Sequence, residues 1–567
     1  MKNLKVAEIL EEIADILEMK GVEYKPRAYR KAAQTVRSLS KDIEDVPKDE
    51  LEDLPGIGES IAEKITEIIK TGSLEYLEEL EKEYPLDFES FLSVEGIGPE
   101  TVKLLFKELE VKNLDDLEKA AKQGKIRKIK GLGKKTEQKI LDNIAFAREE
   151  KGRSLLGYAL PIAEELKNKI REFSGIKKVE IAGSLRRKKE TIGDIDILVT
   201  TSKPKEFMDF FTSLNSVEKV IAKGESKSTV RLREGIETDV RIIEEQAFGS
   251  ALLYFTGSKQ TNIEMRKIAL KKDMKLNEYG LFKNDEDLIA GKTEEEVFRE
   301  LGMQYIAPEL RENRGELDAS LNKELPELLS YGDLKGDLHV HTKWSEGTYS
   351  IEEMAEAAEK IGHKYIAVTD HAGNLKIAGG LEEKELRKQM KIIDKANENG
   401  SDLTVLKGAE VNITSDGKID VKNSVLKELD VVVASVHSGL RQSKKKLTDR
   451  IVSAMENENV DIIAHPTGRK INERRGYDLD LEKIFDVAEE TGTFLEINSY
   501  PDRLDLNDIH VKSAIAAGCK LVISTDSHSS EHLRYIELGI ATARRGWARK
   551  KDIVNSSSLK DFRKLLK

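Results

Sequence analysis

Ile192-Gly-Asp-Ile-Asp-Ile-Leu-Val199 decides the fold of the first half of the chain. Its period-two alternation predicts a strand, and Asp194 and Asp196, at i and i+2, then project from one face. Two bare carboxylates flanked by Ile195 and Ile197 repel each other unless cations lie between them, so the pair points to divalent-metal chemistry. Upstream, Val179-Glu-Ile-Ala-Gly-Ser184 reads as a second strand, followed by the basic loop Arg186-Arg-Lys-Lys189. Downstream, Glu237-Thr-Asp-Val-Arg-Ile-Ile243 reads as a third strand that offers Asp239 as another ligand. Gly183 and Ser184 supply backbone N–H and hydroxyl donors for a triphosphate, with Arg187 close by.

Around this unit the chain is long, at 567 residues, beyond the roughly 250 to 300 at which one core stops growing, so several domains are required. Hydrophobic residues at 39%, charged ones at 35% and only 11 prolines exclude collagen-like and wholly disordered classes. A net charge of −11 excludes a uniformly basic nucleic-acid coat but not a local basic patch. Cys519 is the only cysteine, which forbids an intramolecular disulfide and fits a reducing cytosol, so a cytoplasmic location is expected. Met1 to Glu18 interleaves Leu4, Ile9, Ile13 and Leu17 with Glu8, Glu11 and Glu12, an amphipathic helix rather than a signal peptide, and no run has the roughly 18 apolar residues of a membrane span. All nine histidines lie between His339 and His532. Two chemistries are therefore joined, and the stretch Ala307 to Tyr331, with Pro308 and Pro326, reads as the connection.

Residues 1 to about 150 are helical in pattern and contain a repeat: Leu54-Pro-Gly-Ile-Gly58, Val94-Glu-Gly-Ile-Gly98 and Ile129-Lys-Gly-Leu-Gly133. Each glycine pair, Gly56 and Gly58, Gly96 and Gly98, Gly131 and Gly133, permits a tight turn and leaves N–H groups unobstructed at the next helix's N-terminus, where an anion is favoured. A DNA phosphate fits there. Lys122 to Lys139, with Lys134 and Lys135 beside the third hairpin, holds eight Lys or Arg against one Glu. The three copies resemble the helix-hairpin-helix motif, which grips nucleic-acid backbone without reading sequence.

Gly183-Ser184, the basic loop, Gly193-Asp194-Ile-Asp196 and the distant Asp239 resemble the nucleotidyltransferase palm of DNA polymerase family X. Leu253-Tyr-Phe-Thr-Gly-Ser258 with Asn262 and Arg266 is similar to that family's thumb. The resemblance implies that Tyr254 and Phe255 line the deoxyribose, that Gly183, Ser184, Arg187, Gly193, Gly257 and Asn262 bind nucleotide, and that Arg266 contacts template. Tyr29-Arg-Lys-Ala-Ala33 and Leu54 to Lys64 resemble the family's small lyase domain, with Lys64 at the Schiff-base lysine. Ser60, Ser73 and Tyr76 stand where such domains carry phosphate-holding lysines.

Beyond the connection, seven apolar runs alternate with helical stretches, a parallel βα pattern. They begin at Asp337, Tyr365, Leu403, Val431, Asp461, Phe494 and Leu521, and each ends in polar, ligand-type residues that a barrel gathers in one cleft. His339, His341, Glu346, His371, Glu410, His437, His465, Asp526 and His528 are nine candidate ligands for two or three metals. They resemble the polymerase and histidinol phosphatase (PHP) domain, a phosphoesterase with a trinuclear site. The resemblance implies that His339, His341, Glu410 and Asp526 hold one metal, Glu410, His437 and His465 a second, and Glu346, His371 and His528 a third. Asp370 is read as an orienting or proton-handling residue, and His363, His510 and His532 as structural.

The expected fold is therefore multidomain α and α/β. Helical helix-hairpin-helix units fill residues 1–80 (lyase-like) and 81–150 (fingers). A mixed-sheet palm follows at 151–244, a thumb at 245–315, a linker at 316–332 and a distorted seven-stranded (β/α) PHP barrel at 333–567. The resemblance implies a gap-filling repair DNA polymerase with 3′-5′ exonuclease and abasic-site endonuclease activities. Its partners would be gapped or nicked DNA and deoxynucleoside triphosphates, with Mg²⁺ or Mn²⁺ at the palm, Zn²⁺ or Mn²⁺ at the PHP site, no membrane and a monomeric state. The rival readings are a small-molecule phosphatase tethered to a DNA-binding module, and a non-enzymatic DNA-end binder.

Overall fold

A computed structural model of the chain describes residues 2–37, 43–52, 54, 56–92, 94, 97–150, 152–284, 287–373, 379–398 and 401–567. Up to residue 150 the described elements are helices and short 3₁₀ turns, from Lys2–Lys20 to Lys134–Glu150. They share one apolar core whose members run from Val6 to Ile144. The amphipathic opening helix buries Leu10, Ile13 and Leu17 there. The three hairpins make the same turn: the N–H of Ile57, Ile97 and Leu132 donates to the carbonyl of Leu54, Val94 and Ile129 at 3.1, 3.0 and 3.0 Å. The apolar residue between each glycine pair is buried and anchors the turn to the core.

The palm is a five-stranded mixed sheet in the spatial order Ile176–Ile181, Asp194–Thr201, Glu237–Ile242, Lys227–Leu232, Val217–Lys223. Only the central pair, Asp194–Thr201 with Glu237–Ile242, is parallel. Helix Leu156–Arg171 packs on the sheet through Ile162, Leu166 and Ile170. In the thumb, helices Phe248–Thr256, Lys259–Leu270 and Glu294–Glu300 and a three-stranded antiparallel sheet share another core. Palm and thumb are fastened by buried Glu294, which pairs with palm Arg186 at 2.7 Å and thumb Arg311 at 2.6 Å. Burial opposes ionisation of Glu294, but the two guanidiniums outweigh it and hold the carboxyl down at about 2.

The C-terminal part is a nearly closed barrel of seven parallel strands: Gly336–Val340, Tyr365–Val368, Thr404–Asn412, Val431–Ser435, Ile462–Ile463, Phe494–Asn498 and Leu521–Ser524. These are the seven apolar runs of the sequence. Closure comes where the N–H of His341 donates to the carbonyl of Ser527 at 2.8 Å, beside a bridge between Val340 and Ser527. A two-residue strand, His371–Ala372, adds to Thr404–Asn412.

Sequence patterning describes the connection as a separator. In the structure it is packed: Leu317 lies in the thumb core and Leu329 in the barrel core. The barrel also meets the palm directly. Ile471, Leu504 and Leu538 join the palm's apolar cluster, and Gly157 lies so close to Pro501 that a Cβ there would sit 2.8 Å from its ring. Ion pairs Arg544–Glu309 at 2.8 Å, Arg545–Glu312 at 3.1 Å and Arg314–Asp508 at 2.9 Å cross between barrel and thumb.

Candidate active sites and DNA-contacting hairpins

The register of the two parallel palm strands places Asp194 opposite Glu237 and Asp196 opposite Asp239. Ile195 and Ile197 are fully buried on the other face, so all three aspartates gather on one side, as period-two spacing requires. Burial first, then the charges of Asp194 and Asp239, push Asp196 up to about 7. Burial and Asp239 also raise Asp194. Such mutual repulsion is the signature of a site built around cations. Asp239 is held from its far side by the Thr229 hydroxyl, which donates at 2.6 Å, and by Lys227 Nζ at 2.6 Å. Gly183 permits the next strand's end to approach: its φ is +63° and a Cβ would sit 2.5 Å from Asp196 Oδ2.

In the thumb, Tyr254 and Phe255 meet edge to face at 5.1 Å. The Asn262 side-chain amide donates to the Tyr254 carbonyl at 2.7 Å, and Arg266 Nε to the Asn262 carbonyl at 3.3 Å. Tyr254, Asn262, Arg266 and Leu276 line one cleft. Arg241, beside Asp239, lies 4.6 Å from the Phe255 ring centre and links the thumb helix to the carboxylates. Gly257 ends the thumb helix at φ +70°, and Gly193 lies against Arg153. Arg187 is tied to the thumb: its Nε donates to Glu312 at 3.0 Å and its Nη1 to the Thr256 carbonyl.

In the barrel, Glu410 is the hub. Its Oε2 lies 2.9 Å from His371 Nδ1, 3.4 Å from His339 Nε2 and 3.5 Å from His341 Nε2. Its Oε1 lies 3.2 Å from His437 Nε2 and 3.3 Å from His465 Nε2. Asp526 Oδ1 is 3.2 Å from His341 Nε2, and Glu346 Oε1 is 3.0 Å from Nε2 of both His371 and His528. Among the described residues three groups have ligand atoms within 4.8 Å of one another: His339, His341 and Asp526; His371, Glu410 and His437; His341, His371 and His528. His341 is shared between the first and third groups and His371 between the second and third, while His465 joins through Glu410 and Glu346 through His371 and His528, so all nine expected ligands converge.

The donor set fits metals. Nε2 of His339, both ring nitrogens of His341, Nδ1 of His371 and Oε1 of Glu410 are buried without a hydrogen-bond partner, a costly state unless cations complete the site. Burial opposes charge on Glu410, yet His371, His437 and His339 outweigh it and hold its carboxyl well below the usual range. Asp370 accepts from the Thr342 N–H at 2.8 Å, the Thr342 hydroxyl at 2.6 Å and Gln389 at 2.6 Å. It orients the loop after the first barrel strand.

At the N-terminal hairpins, Gly58 and Gly98 cap helices Glu59–Thr71 and Pro99–Leu109, and Gly133 precedes Lys134–Glu150. Open space surrounds the Cβ positions of Gly58, Gly98, Gly131 and Gly133; Gly56 instead rests on the Lys31 stem, and Gly96 lies outside the described residues. Glu137, the one acid of the basic stretch, is buried beneath Arg127. Lys134 and Lys135 are exposed. Lys64 Nζ lies 3.2 Å from the Ser60 hydroxyl and 5.2 Å from the centre of the Tyr76 ring.

Comparison with known proteins follows the same division. Helix-hairpin-helix domain profiles match residues 1–74 and 88–145, the second as a SAM-like tandem. The DNA polymerase beta palm matches 160–248, the DNA polymerase beta thumb 251–312, and the PHP domain 337–500. The DNA polymerase/3′-5′ exonuclease PolX of Bacillus subtilis (strain 168) is 39% identical, with 100% of both chains covered. The chain belongs to the family X DNA polymerases with a C-terminal PHP domain. DNA polymerase lambda of Rattus norvegicus is 26% identical over 55% of this chain and 56% of its own. A probable phosphatase of Thermoanaerobacter sp. (strain X514) is 34% identical over 34% of this chain and 79% of its own. No helix among the described residues is long and apolar enough to cross a membrane.

Within this family X chain, sequence reasoning missed residues that orient the ligands. Glu496 Oε1 is 2.8 Å from His339 Nδ1 and leaves Nε2 to face Glu410, while its Oε2 accepts from the His465 N–H at 2.7 Å. Asn498 donates to Asp526 at 3.1 Å. The available signal was Glu496-Ile-Asn498, an i, i+2 polar pair in an otherwise apolar run, the pattern that singles out His339 and His341.

Proposed function

We propose that the chain fills short gaps in DNA during repair and trims or cleaves DNA ends with its PHP site. The observation that carries this is the coexistence, in one chain with DNA-gripping hairpins, of the Asp194/Asp196/Asp239 face and the Glu410-centred histidine cluster. Asp194, Asp196 and Asp239 hold the polymerase cations, Mg²⁺ or Mn²⁺, with Lys227 and Thr229 fixing Asp239. Gly183, Ser184 and Gly193 lie along the triphosphate, Tyr254, Phe255, Gly257 and Asn262 around the sugar and base, and Arg266 at the template. Arg187, held by Glu312 through its Nε, joins them at the triphosphate. At the barrel, His339, His341, Glu410 and Asp526 form one position, Glu410, His437 and His465 a second, and Glu346, His371 and His528 a third, for two or three Zn²⁺ or Mn²⁺ ions. Divalent ions at both sites supply charge stabilisation for phosphoryl transfer and a nucleophile at neutral pH. The substrates are gapped or nicked DNA and deoxynucleoside triphosphates, and the enzyme works as a cytoplasmic monomer.

The test is a gapped duplex labelled at the primer's 5′ end, incubated with and without nucleotides in Mg²⁺ and in Mn²⁺. Extension with nucleotides and shortening without them are expected. Neither product, with turnover of small phosphate esters instead, would establish the tethered phosphatase.

Nonspecific grip predicts a salt signature. Lys134→Glu with Lys135→Glu is expected to weaken binding to gapped DNA of any sequence and flatten the log–log salt dependence by about 0.9 per lost phosphate contact. An unchanged slope in a fluorescence-anisotropy titration would make the patch a solvated surface.

Schiff-base chemistry at Lys64 needs a held 5′-phosphate end as well as the amine, and Ser60 and Tyr76, its neighbours, stand where phosphate-holding lysines would be. Borohydride trapping on a 5′-deoxyribose-phosphate end is therefore expected to be slow and to vanish in Lys64→Ala. Trapping that persists in that variant would place the reactive amine elsewhere.

A further inference from the structure

Two barrel loops, residues 465–474 and 500–506, face the palm while ending at the metal cluster. They are fastened to each other: Thr467 donates through N–H and hydroxyl to Asp505 at 3.0 and 2.9 Å, Ile471 N–H to the Asp502 carbonyl at 2.6 Å, and Lys470 pairs with Asp502 at 3.0 Å. At one end they carry His465, 3.3 Å from Glu410, and Arg503, whose Nε is 3.6 Å from Asp526. At the other end Ile471 and Leu504 enter the palm's apolar core. Arg469 lies between these ends. Its Nε donates to the Arg503 carbonyl at 2.7 Å and its Nη2 to the Leu504 carbonyl at 2.6 Å. The same Nη2 reaches palm Glu190 Oε2 at 2.7 Å. Asn472 adds a second tie, donating to the Arg153 carbonyl at 3.1 Å.

We propose that Arg469 is a positioning residue for 3′-end hydrolysis, anchored in trans-domain fashion by Glu190, so that the palm sets the geometry of the PHP site. A guanidinium that must serve two carbonyls can take several orientations, and one carboxylate accepting from the same nitrogen selects one of them. With that orientation fixed, the backbone at Arg503 and Leu504 is fixed, and with it the guanidinium beside Asp526 and the loop from which His465 reaches Glu410. Misplacement of a ligand by a fraction of an ångström is enough to slow metal-assisted hydrolysis. The dependence runs one way. On the palm side the Glu190 carbonyl accepts from the Leu156 N–H at 2.9 Å, and Arg153 holds Thr191 through its hydroxyl at 2.9 Å and its carbonyl at 2.6 Å. The approach to Asp194 therefore keeps its own supports when the strut is cut.

The inference rests on the PHP site being the nuclease, and it predicts that a substitution in the polymerase palm impairs the nuclease. In the full-length chain, Glu190→Gln is expected to lower kcat for degrading a 5′-labelled single strand by about five- to tenfold. KM for DNA and the gap-filling rate should stay within about twofold, and the melting temperature close to that of the wild type. Arg469→Gln should lose at least as much, and the double variant no more than Arg469→Gln alone, because both changes cut one strut. Undiminished degradation by Glu190→Gln, additive losses in the double variant, or a parallel loss of gap filling would each overturn the proposal. If the wild-type chain itself shows no 3′-end degradation, the nuclease reading fails first and the strut with it.

Discussion

Glu410→Gln is expected to lower 3′-end degradation in Mn²⁺ by about three orders of magnitude while primer extension stays within about threefold of the wild type. The size follows from where Glu410 stands. Its two oxygens face five histidines, His339, His341 and His371 on one side and His437 and His465 on the other. One neutralised carboxylate therefore weakens more than one cation position at once. The glutamine is nearly isosteric, so strand Thr404–Asn412 loses no packing and the effect is one of charge. A second readout is independent of turnover: ligands that bind only the folded state stabilise it by mass action, so Mn²⁺ should raise the melting temperature of the wild type more than that of the variant. Loss of extension together with degradation would place Glu410 in the support of the whole molecule rather than at the hydrolytic site, and retained degradation would move the nuclease elsewhere.

Such a substitution is a cleaner probe than truncation. A fragment ending near Arg314 leaves Glu309 without Arg544, Glu312 without Arg545, and the palm's core without Ile471, Leu504 and Leu538. Truncation therefore exposes the palm's apolar surface and leaves Glu312 only Arg187, changing more than the hydrolytic site. The sequence could not show this contact, because it is made by residues scattered between positions 309 and 545 whose types, Arg, Glu, Asp and apolar, are common on any surface. Local patterns were legible: the i, i+2 pairs Asp194/Asp196 and His339/His341 report a strand face directly, and each barrel run ends beside a ligand because strands of one sheet deliver their ends together. The hairpins were legible because the same short turn recurs three times. What could not be read were partners distant in sequence. Glu496 lies 157 residues from the histidine it orients. Arg187, which the family resemblance assigns to nucleotide, also donates to Glu312, 125 residues away.

Asp194→Ala is expected to lower gap filling by about three orders of magnitude or more while leaving affinity for gapped DNA within about twofold and 3′-end degradation within about threefold. Asp194 is the most exposed of the three palm aspartates and opens its strand, so its removal creates no cavity and disturbs no core contact. What it removes is one of the two carboxylates whose charge, added to burial, pushes Asp196 up to about 7. Deleting Asp194 relieves that repulsion and lets Asp196 ionise more readily, so residual activity should survive to lower pH than in the wild type even as its maximum collapses. The sign distinguishes two explanations of the loss. If Asp194 serves as a metal ligand, raising Mn²⁺ should recover part of the rate, because weakened affinity is offset by concentration. If it acts only by holding the strand end in place, added metal should change nothing and Asp194→Asn should restore the rate. Single-turnover insertion measured across pH and Mn²⁺ concentration separates these outcomes, and extension within severalfold of the wild type in Asp194→Ala would remove the aspartate face from the chemistry altogether.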